Sequence, residues 1–157
     1  MLFRRGPSLS NRTVRQIMST DCVTATLKDN IYELAVLMKK HDIGFIPIVE
    51  GTKLIGVVTD RDLVVRGYAE KHSGSTSVET VMTSDVETIS PDASADEAVK
   101  RMASHQIRRL VVVENGHLAG VLAIGDLAVR NVLVQEAGEA LSHISESAFA
   151  EQPVTHH

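Results

Sequence analysis

The stretch Gly56-Val57-Val58-Thr59-Asp60-Arg61-Asp62 decides the fold, because it returns as Gly120-Val121-Leu122-Ala123-Ile124-Gly125-Asp126. The two stretches lie 64 positions apart, and the same interval carries Met18 to Met82 and Met38 to Met102. From Val14 to Arg66 the register holds without a gap, and about a third of the positions are identical. That period exceeds the roughly 20–50 residues of solenoid repeats, so the chain reads as two copies of one small domain. A copy of about 50 to 60 residues is marginal alone, which predicts that the two bury faces against one another.

Outward from this stretch, each copy shows the same order of elements. Ile31, Leu34, Ala35 and Met38 have helical spacing, which predicts a helix over 31–41. Asn30 with Glu33 resembles a capping box at its start, and Ser94 with Glu97 fits that motif better in the second copy. Phe45–Val49 and Leu54–Val58 read as strands joined by a turn near Gly51. Leu110–Val113 and Leu118–Ala123 repeat them around Asn115-Gly116, a strong hairpin signal. The apolar runs are too continuous for a sheet with one wet face, so both faces should be covered. A second helix follows near Asp60–Tyr68 and Ile124–Val134. The fold class is therefore α/β (α+β): an extended lead-in, helix, strand, strand and helix per copy. The expected organisation is a first domain over 12–68, a Gly- and Ser-containing linker over 69–77 and a second domain over 78–134. A C-terminal helical extension over 135–148 would carry Ala137, Ala140, Leu141 and Ile144 on one side, packed on its own chain or on a second copy. The termini, 1–11 and 149–157, read as poorly ordered.

Composition narrows the function. Of 157 residues, 43% are hydrophobic and 23% charged, the profile of a globular chain. The formal net charge is −4, so no domain-wide basic field draws a phosphate backbone. Aromatics make up 3% with no Trp, which leaves few platforms for stacking single-stranded bases. Nucleic acid is thus not an expected partner. Cys22 is the only cysteine, so no intramolecular disulfide can form. Met1–Gly6 lacks a signal peptide's apolar run, and no stretch reaches the roughly 18 apolar residues of a membrane span. A cytoplasmic protein without membrane partners is the expectation. The terminal pair His156-His157 carries no argument.

With the duplication in hand, the sequence resembles the cystathionine-β-synthase (CBS) domain family, whose tandem pair is called a Bateman module. The resemblance runs over Val14–Asn131. It rests on Val14-Arg15-Gln16-Ile17-Met18 and Val78-Glu79-Thr80-Val81-Met82 as openers, on His41–Val49, and on Leu54–Leu63. It implies two tandem domains, each a small three-stranded sheet with two helices, packed with pseudo-two-fold symmetry. It also implies a regulatory module that binds an adenosine-containing small molecule in the cleft between the domains. AMP or ATP heads the candidate ligands, no further cofactor is required, and an enzyme or transporter is the expected regulated partner. A homodimer built through the helices after Asp62 and Asp126 follows from the apolar faces such a pair leaves over.

The family signature for ribose and phosphate is matched by Gly56, Thr59 and Asp62, with Asp60 and Arg61 inside it. A carboxylate accepts hydrogen bonds from both ribose hydroxyls. A hydroxyl at a strand-to-helix junction lies beside free backbone N–H groups that favour phosphate. Thr59 with Asp62 is equally a helix-capping arrangement needing no ligand, and both roles can hold at once. The second copy keeps Asp126 but has Ala123 in place of the hydroxyl, which predicts two unequal sites. It brings Arg108 and Arg109 where the first copy has Gly44 and Phe45. The resemblance places a phosphate contact there, and arginine's planar fork suits it; the alternative is a solvated pair. Ile46, Pro47, Val23 and Cys22 are candidate adenine walls or plain core. His41 and His105 end their helices, where the dipole favours a cation, and are not read as metal ligands. No catalytic constellation can be defended, so an enzyme is not expected. A nucleotide hydrolase using Asp60 and Asp62, and a ligand-free oligomerisation or scaffold module, are the competing classes.

Overall fold

The computed structural model describes residues 12–130, with side chains described through Leu127. The expected extension over 135–148, the end of the second helix near 131–134 and both terminal tails lie outside the described residues. The elements are α1 (Val14–Ile17), α2 (Ile31–His41), β1 (Phe45–Glu50), β2 (Lys53–Thr59) and α3 (Asp60–Asp62). α3 runs on as a π-helix (Leu63–Tyr68), followed by a 3-10 turn (Val78–Thr80), β3 (Thr88–Ile89), α4 (Ala95–His105), β4 (Arg109–Glu114), β5 (His117–Ala123) and α5 (Ile124–Arg130). The mixed α/β class stands, and the strands hydrogen-bond in the order β1-β2-β5-β4-β3.

Local chemistry explains the boundaries. Asn30 and Ser94 cap α2 and α4, their side chains accepting from Glu33 N at 2.8 Å and Glu97 N at 3.0 Å. Both helices stop at a left-handed residue, Asp42 (φ 53°) and Gln106 (φ 54°). The amides of Ile43 and Ile107 then turn back onto Met38 O and Met102 O, closing the last turn. Asn115 and Gly116 both have positive φ, the requirement of the tight turn that joins β4 to β5. In β1, Ile46, Pro47, Ile48 and Val49 are all buried, as expected for a strand covered on both faces. Pro47 has no N–H to give, but its carbonyl accepts from Ala25 N, and Val49 N donates to Ala25 O. The lead-in to copy one therefore reaches β1 by a single parallel bridge, Ala25↔Ile48. In copy two the corresponding contact is a short strand, β3 on β4, through Thr88↔Val111 and Ile89↔Val112.

The chain divides into two compact units that are cut differently from the repeats. Among the described residues, one comprises 20–87 with 113–119 and the other 12–19, 88–112 and 120–130. In the first, β1 and β2 form an antiparallel hairpin from Phe45↔Thr59 to Glu50↔Lys53. Its core contains Ile31, Leu34, Met38, Ile46, Ile48 and Val58, and it also takes in Val78 and Val81. Those two valines belong to the opener of the second copy. The amides of Val57 and Thr83 each donate to the other's carbonyl at 2.9 Å, which fixes that opener along β2. The tip of β5 joins this unit through Lys53↔His117.

In the other unit the arrangement is reciprocal. The opener of the first copy, with Val14 and Ile17 buried, lies on the body of the second. Val14 N donates to Ala93 O, Arg15 N to Pro91 O, and Ser19 and Val121 exchange amide hydrogen bonds at 2.9 and 3.0 Å. Val99, Met102, Leu110, Val112, Leu122 and Leu127 are buried in the same unit. Each copy thus lends its first few residues to the other's body.

Candidate functional site

Thr59 ends β2 and caps α3, and the sequence there imposes a tight corner. The Asp62 amide donates to Thr59 Oγ1 at 3.1 Å, and the Thr59 amide donates to Asp62 Oδ2 at 2.9 Å. The capping reading is therefore realised in full. It commits one carboxylate oxygen and leaves Oδ1 facing Arg66, whose Nε stands 3.9 Å away. The Asp62 side chain keeps 17% of its exposure, so the carboxylate is shielded but reachable.

Gly56 shows why a side chain is excluded three residues earlier. A Cβ there would fall on the Met82 side chain and 2.8 Å from the Thr83 carbonyl oxygen. The glycine lets the exchanged opener lie flat on β2. Gly44 plays a similar part beside Asp60, where a Cβ would come within 2.7 Å of Asp60 Oδ2. The Asp60 amide donates to Gly44 O at 2.9 Å, and Asp60 Oδ1 accepts from Arg61 N at 2.8 Å. Asp60 and Arg61 are both exposed.

The candidate adenine walls divide. Ile46 is fully buried within the core cluster. Pro47, its neighbour on the strand, presents the opposite face and pairs with Val57. Val23 and Cys22 are half-buried. Thr59, Asp60, Arg61, Asp62, Pro47 and Val23 are thus brought together in one compact unit.

Asp126, Arg108 and Arg109 fall in the other unit. Asp126 Oδ2 accepts from Ala123 N at 3.1 Å, one half of the cap seen at Thr59. Ala123 has no hydroxyl to return the bond. Arg108 O accepts from Ile124 N at 2.8 Å, as Gly44 O does from Asp60 N, and the side chains of Arg108 and Arg109 are exposed. His41 and His105 stand in the last turns of α2 and α4, as their spacing implied. A pocket of about 300 Å³, lined by Thr26, Leu27, Lys28, Val49, Glu50 and Gly51, opens at the turn end of the β1–β2 hairpin and holds none of the candidate residues.

Sequence reasoning missed Arg66. Its Nη1 donates to Val81 O and Met82 O, each at 3.4 Å, and to Thr83 Oγ1 at 3.5 Å. A signal was present, because the duplication repeats it as Arg130.

Comparison with known proteins bears on the family and the fold. A family model described as CBS domain matches residues 14–67 and 78–130. The Bacillus subtilis protein YlbB is 42% identical over 145 residues, 91% of this chain and 98% of that one. The CBS domain-containing protein YhcV of the same organism is 41% identical over 85% of this chain and 95% of its own. Among solved structures, the CBS domain pair of protein MJ0100, in complex with 5′-methylthioadenosine and S-adenosyl-L-methionine, matches with a TM-score of 0.67. That match has 27% identity and covers 76% of this chain and 95% of the other.

Proposed function

The chain belongs to the CBS domain family in two copies, and from that premise we propose that it is a regulatory, non-catalytic module that senses an adenosine-containing ligand. The observation that carries the reading is Asp62. Its carboxylate is shielded and held at Oδ2 by the Thr59 amide, and its Oδ1 is not taken by the backbone cap. A fixed acceptor of this kind suits the two hydroxyls of a ribose. Val23, half-buried, and Pro47, buried on β1, remain the candidate groups to flank a base, while Ile46 belongs to the core. The structure of MJ0100 with two adenosine derivatives supports the ligand class. AMP and ATP are the first ligands to test, with Arg108 and Arg109 as candidate phosphate partners. No further cofactor is part of this reading.

Thermal shift with AMP, ADP, ATP, S-adenosylmethionine and NAD tests it. A ligand at a hundred times its dissociation constant adds about 2.7 kcal/mol of stability. No shift with any of the five would overturn the reading. Product analysis of the same mixtures separates sensing from hydrolysis.

A second observation favours self-association beside sensing. Tyr32 and Val36 on α2, with Val64, Val65 and Tyr68 on the π-helix, are exposed, Tyr68 to 83%. Apolar groups clustered on neighbouring helices suit a symmetry-related copy. A homodimer through the helices after Asp62 and Asp126 is the proposed assembly. Light scattering that finds a monomer at micromolar concentration would refute it. Among the described residues no helix is long and apolar enough to cross a membrane. We place the module in the cytoplasm, acting on a partner enzyme or transporter.

A further inference from the structure

The carboxylate of Asp62 is hydrogen-bonded at one oxygen and faces a cation at the other. Oδ2 accepts from the Thr59 amide at 2.9 Å. Oδ1 faces the Nε of Arg66 at 3.9 Å, one helical turn on. The other end of that guanidinium is anchored in turn. Nη1 reaches Val81 O and Met82 O at 3.4 Å and Thr83 Oγ1 at 3.5 Å. Two of these acceptors belong to the opener of the second copy and the third, Thr83, follows it directly and is locked to β2 by the Val57–Thr83 amide exchange. A planar guanidinium presents its donors in a fixed fork, so acceptors on one edge set where the rest of the fork points.

The backbone supports the same placement. Directly after Asp62 the helix widens to a π-helix, with Ala69 N donating to Val64 O and His72 N to Gly67 O. Such widening is uncommon and gathers at functional sites. Val64, Val65 and Gly67 are weak α-helix formers, and Gly67 lies against Ile31, where a Cβ would stand 3.3 Å from Cδ1.

From this geometry we infer that Arg66 is a positioning residue for ribose recognition, linking the second oxygen of Asp62 to the segment 81–83 at the end of the exchanged opener. The inference rests on the reading of Asp62 as the ribose carboxylate. Arg66 touches no ligand in this scheme. It fixes the plane of the carboxylate, and two ribose hydroxyls depend on that plane more than a base or a phosphate does. Its effect is therefore confined to ligands that carry the hydroxyls.

The test compares adenosine with 2′,3′-dideoxyadenosine by calorimetry on the full chain. Wild type prefers adenosine, and Asp62→Ala abolishes the preference. Arg66→Gln narrows it by roughly three- to fivefold, the scale of a partly exposed ion pair, with dideoxyadenosine affinity nearly unchanged. Arg66→Lys keeps the charge without the fork and falls between wild type and Arg66→Gln, which also guards against a folding defect in the glutamine variant. If Asp62→Ala removes the preference while both Arg66 variants retain it, the inference on Arg66 is wrong and the reading of Asp62 survives. Equal loss of both ligands in Arg66→Gln and Arg66→Lys assigns the arginine to the fold alone and overturns the inference. If Asp62→Ala leaves the preference intact, or wild type binds neither ligand, the ribose reading falls and Arg66 falls with it.

Discussion

The strand-to-helix corner of the first copy and that of the second share a backbone and differ in polar equipment. In both, an aspartate carboxylate accepts from the last residue of the strand, Asp62 from Thr59 N and Asp126 from Ala123 N. In both, a glycine lets an exchanged opener lie against the strand, and one carbonyl accepts from the first helical amide. Only the first corner returns a hydroxyl hydrogen bond, through Thr59 Oγ1. Only the second carries arginines, Arg108 and Arg109, where the first has Gly44 and Phe45. The first helix widens to a π-helix over Leu63–Tyr68, whereas α5 stays α-helical through Arg130. The difference teaches that at this corner the duplication retained the glycine and the aspartate that set the backbone, while the groups around them diverged. Packing geometry has few solutions at native density, whereas an exposed side chain is free to specialise.

The strongest way to break this comparison is to remove the aspartates one at a time. Asp62→Ala should weaken an adenosine ligand more than tenfold, since hydrogen bonds to a charged group contribute about 1.5–3 kcal/mol each. Asp62→Asn should cost less, because one acceptor survives. Asp126→Ala should cost less than Asp62→Ala, and calorimetry that returns the opposite order would show that the second corner is the working one.

Gly56→Ala and Gly120→Ala probe what the copies share. A Cβ at Gly120 would stand 2.6 Å from Ser19 O, as one at Gly56 stands 2.8 Å from Thr83 O. Each should destabilise by about 1–3 kcal/mol, the usual cost of overpacking. Denaturant unfolding in which one substitution is tolerated would mean that one opener is not held against its strand.

Thr59→Ala and Ala123→Thr exchange the caps. The first should cost about 1 kcal/mol and the second should return up to that amount, the range of a single N-cap side chain. Melting temperatures moving in opposite directions would confirm that the hydroxyl, rather than the surrounding sequence, distinguishes the corners.

Arg108→Ala with Arg109→Ala should weaken AMP more than adenosine, because the phosphate alone meets their charge. Equal losses would return the pair to the fold.

The smallest effect concerns Glu33. The protonated carboxyl of Glu33 donates a hydrogen bond to Asp29, which with desolvation and the neighbouring charge raises its pKa against an opposing backbone hydrogen bond at Asn30. A raised carboxylate pKa means the folded chain favours the protonated form. The stabilisation is present at low pH and fades as pH rises through the raised value. The second copy has Ala93 where the first has Asp29, so it lacks this pair. Glu33→Gln should slightly flatten the fall of melting temperature with rising pH above the ordinary carboxylate range, and an unchanged slope would refute the assignment.

Much of the molecule was legible in the sequence because its determinants are local. The helix over 31–41 followed from its apolar spacing and from Asn30, and the hairpin turn followed from Asn115-Gly116. The corner at Thr59 and Asp62 was readable because a cap acts over three residues. What tertiary structure alone decided is where the openers go. Val14 with Ile17 and Val78 with Val81 are apolar pairs of the same spacing, and each fits either body. The hydrophobic effect is non-directional, so such a pattern demands burial without naming the partner. The chain answers by exchange, Val78 and Val81 entering the core of 20–87 while Val14 and Ile17 are buried with 88–112. The part played by Arg66, which the sequence marks only by its repetition as Arg130, was hidden for the same reason. Its acceptors at 81–83 come near only once that exchange is made.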